Sequence, residues 1–173
     1  MINNRHIGLW VVVCVIAGCS HQAPQRPSTR MGQAPEPDST QLALIELHHH
    51  LALAADEEIT RFVQASGENY ALYDNHTWLL ITGKGDEDRP LVDGEEKEMH
   101  LKVYDLRGRL LEDTRRRYRI GKMELPVCIE HNMEPLRSHS RVKILAPWYA
   151  AFGAQGTSGV PPYTNVMIDL EIQ

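Results

Sequence analysis

The chain has 173 residues, of which 42% are hydrophobic and 24% are charged, so it can form one globular core but not two large domains. Its formal net charge is -5, and its longest basic run is Arg115–Arg117. Because phosphate binding needs concentrated positive charge, the composition argues against nucleic acid as a partner, and we expect these arginines to be solvated. Three cysteines, two of them in the first 19 residues, give no disulfide framework.

Residues 1–18 have the features of a cleaved export signal. Arg5 is followed by the apolar run Ile7–Ala17, which is too short to span a membrane, and small residues precede Cys19. The end of this segment, Ile16-Ala-Gly-Cys19, matches the lipobox of bacterial lipoproteins, in which the leader is cut before a lipid-bearing cysteine. The sequence therefore predicts lipid attachment at Cys19 and a membrane-anchored location in the bacterial cell envelope. The alternative is an ordinary secretory leader in which Cys19 is incidental.

Two different segments follow the leader. Residues 19–39 are rich in proline, glutamine and serine and lack an apolar period, which predicts a flexible tether. Residues 40–68 carry apolar residues at a broadly helical spacing, with a capping residue at Asp38 or Ser39 and a stop at Gly67, so we expect a helical extension of one or two helices. Its adjacent His48–His50 side chains would fan about 100° apart on a helix, which favours a solvated triplet over a metal site.

Residues 77–173 are predicted to form a single α+β domain, an antiparallel sheet with one short helix on its inner face. The predicted strands cover Thr77–Gly83, a period-two run from Glu96 to Leu106, a short piece at Tyr118–Gly121, Arg141–Ala146 and Val166–Ile172, with a turn at Arg107–Gly108. After Pro126, the spacing of Ile129, Met133 and Leu136 predicts one apolar face of a helix.

The final stretch has the most specific pattern. An apolar strand ends at Pro147, three glycines at 153, 156 and 159 allow a tight loop, and Val160-Pro-Pro162 leads into a strand ending Ile168-Asp-Leu-Glu-Ile172. Together with Phe152-Gly153, this string resembles the end of the FKBP-type peptidyl-prolyl isomerases. The narrower resemblance is to lipid-anchored bacterial members with a helical N-terminal extension, including gliding-motility lipoproteins. Upstream, residues 95–114 can be laid without gaps on a strand and turn of the same family.

The resemblance implies an FKBP-like antiparallel sheet wrapped on one short helix, with an apolar pocket that accepts a proline ring. It further implies a peptidyl-prolyl cis-trans isomerase or folding helper that acts on proline-containing polypeptides among exported envelope proteins. No cofactor or metal is implied. The alternative is a catalytically degenerate FKBP-fold binding or chaperone-like lipoprotein, in which the matching apolar residues only fill the core.

The family's functional positions fall on few aromatic residues here. Those implied to be catalytic are Phe152, Glu112 and Leu101, and those implied to bind substrate are Leu111, Leu125, Ile129, Val160 and Ile168. Phe152 lacks the hydroxyl that the family offers to the substrate. The family's backbone N-H donor falls on Pro126, which has none. Shifting the alignment by one residue would instead place the donor at Leu125 and Cys128 at the pocket floor.

Hydrolytic or metal chemistry is poorly supported by the sequence. His100, His131 and His139 are scattered over different predicted elements, with no Ser-His-Asp spacing or Cys/His pairs to join them. We expect His100 to pack or to face solvent.

Overall fold

An antiparallel sheet organises the part of the chain that this computed structural model describes, residues 38–86 and 88–173. The predicted leader, Cys19 and nearly all of the predicted tether lie outside these residues. The strands are β1 (Ala71–Leu72), β2 (Trp78–Gly83), β3 (Glu96–Asp105), β4 (Leu110–Arg119), β5 (Arg141–Ala146) and β6 (Val166–Ile172). Their order across the sheet is β1-β2-β5-β6-β3-β4, and each neighbouring pair is antiparallel.

The alternation of β6 separates the two faces of the sheet. Val166, Ile168, Leu170 and Ile172 are buried, whereas the residues between them are only half-buried. Ile144 of β5 lies opposite Ile168 and is fully buried on the same face. We call this the inner face, because the main hydrophobic core packs against it, and the predicted α+β layering is confirmed.

A single turn of helix, α2 (Val127–Glu130), covers the inner face. Ile129 and Leu136 are fully buried and Met133 is half-buried, but the last two lie beyond the helix rather than on it, contrary to the sequence prediction. The helix ends because Asn132 breaks its hydrogen-bond pattern. The Asn132 N-H donates to Ile129 O at 3.0 Å, and its side-chain Nδ2 donates to Cys128 O at 2.8 Å.

A long hairpin joins β3 to β4. Asp105 closes its turn by accepting hydrogen bonds at Oδ1 from the backbone N-H groups of Arg107 and Arg109, at 3.0 and 2.9 Å. The short strand predicted at 118–121 is not separate, because Tyr118 and Arg119 continue β4 in register with β3.

A 28-residue helix, α1 (Ser39–Ser66), packs on the opposite, outer face. A capping box between Asp38 and Gln41 starts it, and Gly67 at φ 68° ends it. Ile59, which is 1% exposed, forms a small core with Tyr70 and Leu145. The predicted one or two helices are therefore one. No helix within the described residues is long and apolar enough to cross a membrane.

Polar contacts tie α1 to the loop between β5 and β6. The Tyr149 hydroxyl donates to Asp56 Oδ1, and Asn165 Nδ2 donates to Glu58 Oε2 at 2.7 Å. His48 does not behave as the predicted solvated residue, because its ring is half-buried and its Nε2 lies 2.9 Å from the Tyr163 hydroxyl. The extension and the last loop of the domain thus hold one another in place.

Candidate functional site

An open cleft of about 340 Å³ lies on the inner face beside α2. Strands β3 and β4 form one wall, the segment that enters α2 forms a second, and the β5–β6 loop forms a rim. The residues that line it are Leu101, Val103, Glu112, Arg116, Tyr118, Glu124, Leu125, Pro126, Phe152, Thr157 and Ser158.

Four of the sequence-predicted site residues meet in this cleft. Leu101 and Leu125 are buried and form part of its apolar wall, and half-buried Phe152 stands at the loop side. Glu112 contributes a carboxylate whose Oε1 accepts a hydrogen bond from Thr114 Oγ1 at 2.9 Å. The cleft therefore combines an apolar interior with a polar edge.

The other four predicted substrate-binding residues do not line the cleft. Ile129 and Ile168 are fully buried, Val160 is 1% exposed, and half-buried Leu111 packs against the same core. These side chains lie behind the cleft and support its walls, so the structure places them where they contribute to packing.

Sequence reasoning missed two side chains of β4 that form the outer part of the cleft, Arg116 and Tyr118. The strand register places Tyr118 opposite Lys97 and Glu112 opposite Val103, so Glu112, Arg116 and Tyr118 share the inner face. The Arg116 guanidinium carbon lies 4.5 Å from the centre of the Tyr118 ring, a cation–π contact. The alternation from Glu112 along β4 was the signal that could have found them.

The charged groups at the cleft surround one cation with two carboxylates. A side-chain hydrogen bond with Tyr118 is the largest cause that raises the pKa of Arg116 above its usual value, and the charges of Glu124 and Glu112 add to it, so the guanidinium stays protonated. Glu124 lines the cleft but does not form an ion pair with Arg116; its Oε2 accepts a hydrogen bond from the backbone N-H of Arg119 at 3.0 Å. Glu112 is similarly engaged by Thr114.

Two donors implied by the resemblance are missing from the cleft. Pro126 has no N-H, and Phe152 has no hydroxyl. The one-residue shift does not supply a replacement, because the Leu125 N-H points to Glu130 Oε1 at 3.4 Å. The Cys128 N-H is likewise used, donating to Ala150 O at 2.7 Å.

Nucleophilic and metal chemistry find little support around the cleft. Burial raises the pKa of the Cys128 thiol to about 12, so the thiolate is inaccessible near neutral pH. His100 Nε2 lies 2.6 Å from Asp113 Oδ1, and His139 Nδ1 lies 3.1 Å from Asp86 Oδ2. Within residues 38–86 and 88–173, no three His, Cys, Asp or Glu side chains are arranged to hold a metal ion.

A second depression, of about 270 Å³, lies around the outward-facing charged side chains of the sheet. Two of its basic side chains are held in ion pairs. Arg141 Nε pairs with Glu171 Oε1 at 3.2 Å, and Lys143 Nζ pairs with Glu68 Oε1 at 3.0 Å. We therefore take the inner-face cleft as the candidate site.

Comparison with solved structures agrees with this architecture. AtFKBP13 superimposes with a TM-score of 0.53 at 15% identity over 60% of this chain and 95% of its own. The peptidyl-prolyl cis-trans isomerase of Pseudomonas syringae pv. tomato superimposes with a TM-score of 0.56 at 13% identity, over 70% of this chain and 92% of its own. The chain has the FKBP fold. FkpA from Escherichia coli shares it too, with a TM-score of 0.57 at 12% identity over 79% of this chain and 72% of FkpA.

Comparison of the sequence alone finds no match. No family model matches the chain, and no curated protein matches it either. The FKBP fold is thus recognised through the backbone, and the cleft residues of this chain have to be interpreted from their own chemistry.

Proposed function

We propose that the protein is a peptidyl-prolyl cis-trans isomerase, or a folding helper of that type, acting on exported proteins of the bacterial cell envelope. The observation that carries the proposal is the open, apolar-walled cleft on an FKBP fold, with Leu101, Leu125 and Phe152 lining the same space. A proline ring is an apolar group with no N-H, which suits such walls.

The reaction requires no nucleophile. An Xaa-Pro bond rotates slowly because twisting the amide loses resonance, at a barrier of about 20 kcal/mol. A dry cleft that binds the twisted imide better than either planar form lowers this barrier by differential binding. Leu101, Val103 and Leu125 would exclude water from the ring, while Glu112 and the rest of the polar edge would contact the peptide.

The isomerase proposal predicts a defined loss on truncating Phe152. In a protease-coupled assay with a chromogenic Leu-Pro peptide, the whole chain should accelerate isomerisation. Phe152→Ala should lower kcat/KM by about 10-fold, as the loss of a half-buried aromatic contact worth about 1–2 kcal/mol implies. Tyr73→Ala, which removes an exposed aromatic side chain outside the cleft, is the matched control and should retain activity.

The same assay separates isomerase from binding module. Uncatalysed rates with both wild type and Phe152→Ala would contradict the isomerase proposal. They would favour the degenerate binding or chaperone-like alternative. The absence of donors at Pro126 and Phe152 is the observation that supports this alternative. Binding of a denatured client without turnover would then be the expected behaviour.

The envelope location rests on the lipobox at Cys19. Several acyl chains, at about 0.8 kcal/mol per buried methylene, anchor a protein stably where a single chain does not. We expect labelled palmitate to enter the wild-type chain and to be absent from Cys19→Ala, which should also leave the membrane fraction. Wild-type protein without label would refute the lipoprotein assignment.

A further inference from the structure

We infer that Arg116 is the hydrogen-bond donor of the cleft, and that its guanidinium binds neutral peptide carbonyl oxygens flanking the substrate proline. This inference deepens the proposed function and rests on it. It assigns to one side chain a role that neither Pro126 nor Phe152 can fill, since the first has no N-H and the second no hydroxyl.

The backbone parity of β4 sets Arg116 apart from the other arginines of the strand. Arg115 Nε pairs with Glu98 Oε1 and Arg119 Nη2 pairs with Glu96 Oε1, both at 2.7 Å, across the outer face. Arg116 lies on the inner face, lines the cleft, and forms no ion pair with any carboxylate in the described part of the chain. No carboxylate among these residues therefore holds its guanidinium in an ion pair.

Tyr118 fixes the position of the guanidinium through its ring and a side-chain hydrogen bond, which leaves the remaining N-H groups of the five for a ligand. The ring lies under the guanidinium at 4.5 Å, and the tyrosine itself is only 4% exposed, so the platform is rigid. A planar guanidinium stacked on a ring keeps its N-H groups directed outward from its edge. Less conformational entropy is then lost when a ligand oxygen binds.

The surrounding charge determines which ligand oxygen fits. Glu112 and Glu124 line the same cleft, and each already accepts a hydrogen bond from another group. Two carboxylates around one cation leave the site with a net negative charge, which disfavours an acidic side chain of the substrate. A carbonyl oxygen accepts the guanidinium bond without meeting that repulsion.

Arg116→Met tests the inference while preserving the contact with Tyr118, because methionine packs against aromatic rings. In the whole chain we expect kcat/KM for a Leu-Pro peptide to fall about 10- to 100-fold, as the loss of a hydrogen bond from a charged donor implies. Arg116→Lys, which keeps a positive charge and N-H donors, should retain more of the wild-type kcat/KM than Arg116→Met does. Arg117→Met, a neighbouring exposed arginine on the outer face, should leave kcat/KM and the thermal midpoint unchanged.

A Glu-Pro peptide, used beside the Leu-Pro peptide, shows whether Arg116 binds a peptide carbonyl oxygen or a substrate carboxylate. Arg116→Met should reduce turnover of Leu-Pro and Glu-Pro peptides by the same factor. A loss confined to the Glu-Pro peptide, or unchanged kcat and KM with both, would overturn the inference while leaving the isomerase proposal intact. A fall in kcat at constant KM would show that the bond forms mainly in the twisted state.

Peptide binding keeps the inference testable if wild type does not catalyse. Chemical-shift titration of the labelled protein with the Leu-Pro peptide should then give a Kd that Arg116→Met raises by at least 10-fold. Such a result would refute the isomerase proposal and support Arg116 as the donor. Equal affinity of the two proteins, or no binding by either, would overturn the inference.

Discussion

Replacing Ile129 with alanine should lower the free energy of unfolding by about 2–5 kcal/mol, the range found when a large aliphatic side chain is removed from a packed core. Ile129 is fully buried and belongs to the main hydrophobic core, behind the cleft rather than in its lining. Surrounding strands cannot collapse into the space, because Ile144 and Ile168 are themselves fixed by cross-strand pairing. Urea denaturation monitored by circular dichroism measures the change.

Val127→Ala is the matched control, since Val127 begins the same helix but is only half-buried. Its cost should stay below about 1.5 kcal/mol, as loss of two methyl groups at a partly exposed site implies. If Ile129→Ala kept wild-type stability and lost proline-peptide turnover instead, Ile129 would be a substrate-binding residue as the resemblance implies, and its placement in the core would be the wrong interpretation.

The fold could be predicted from local patterns that have a single physical reading. The alternation of β6 requires one face to be buried, and its pairing with β5 then follows from two apolar runs joined by a glycine-rich loop. The turn at Gly108, with φ of 82°, similarly fixes the hairpin register. The apolar alternation of each strand and the glycine at the turn are local patterns, which is why the sequence was sufficient for these features.

The cleft was predicted only in part because depth is not a local property. Leu101 and Ile168 both have the pattern of inward-facing strand residues, yet one reaches the cleft and the other is sealed inside. Which of them meets solvent depends on how far α2 and the β5–β6 loop extend over the sheet.

A second part of the site, Arg116, was not predicted because a run of charged residues normally indicates a solvated surface. Arg115–Arg117 was predicted to be solvated, and all three side chains are exposed, but strand alternation sends Arg116 alone to the cleft side. His48 is the comparable case on α1, where the contact with Tyr163 joins residues 115 positions apart. A sequence pattern assigns a residue to a face, whereas partners on that face come from the tertiary arrangement.

The β5–β6 loop gives the second large expected effect, in which Gly156→Ala should destabilise the protein far more than Gly153→Ala. Both glycines have positive φ, 66° and 73°, so each substitution incurs the left-handed penalty of about 1–2 kcal/mol. At Gly153 an added Cβ meets nothing within 4 Å, whereas at Gly156 it would lie 2.2 Å from Val160 O. The backbone there must move, at a further cost of about 1–3 kcal/mol.

The displaced group also supports the cleft, so the stability loss should be accompanied by a functional one. Val160 O accepts the Thr157 N-H at 2.8 Å, and Thr157 and Ser158 form the loop side of the cleft. Gly156→Ala should therefore lower both the urea midpoint and kcat/KM for the Leu-Pro peptide, while Gly153→Ala should lower the midpoint slightly and spare turnover. Equal effects of the two substitutions would mean that the backbone approach at Gly156 does not constrain the loop. The hydrogen bond from Thr157 to Val160 is expected both to stabilise the loop and to shape the cleft. A loss of stability in Gly156→Ala with full turnover would show that the cleft keeps its shape when the loop is destabilised.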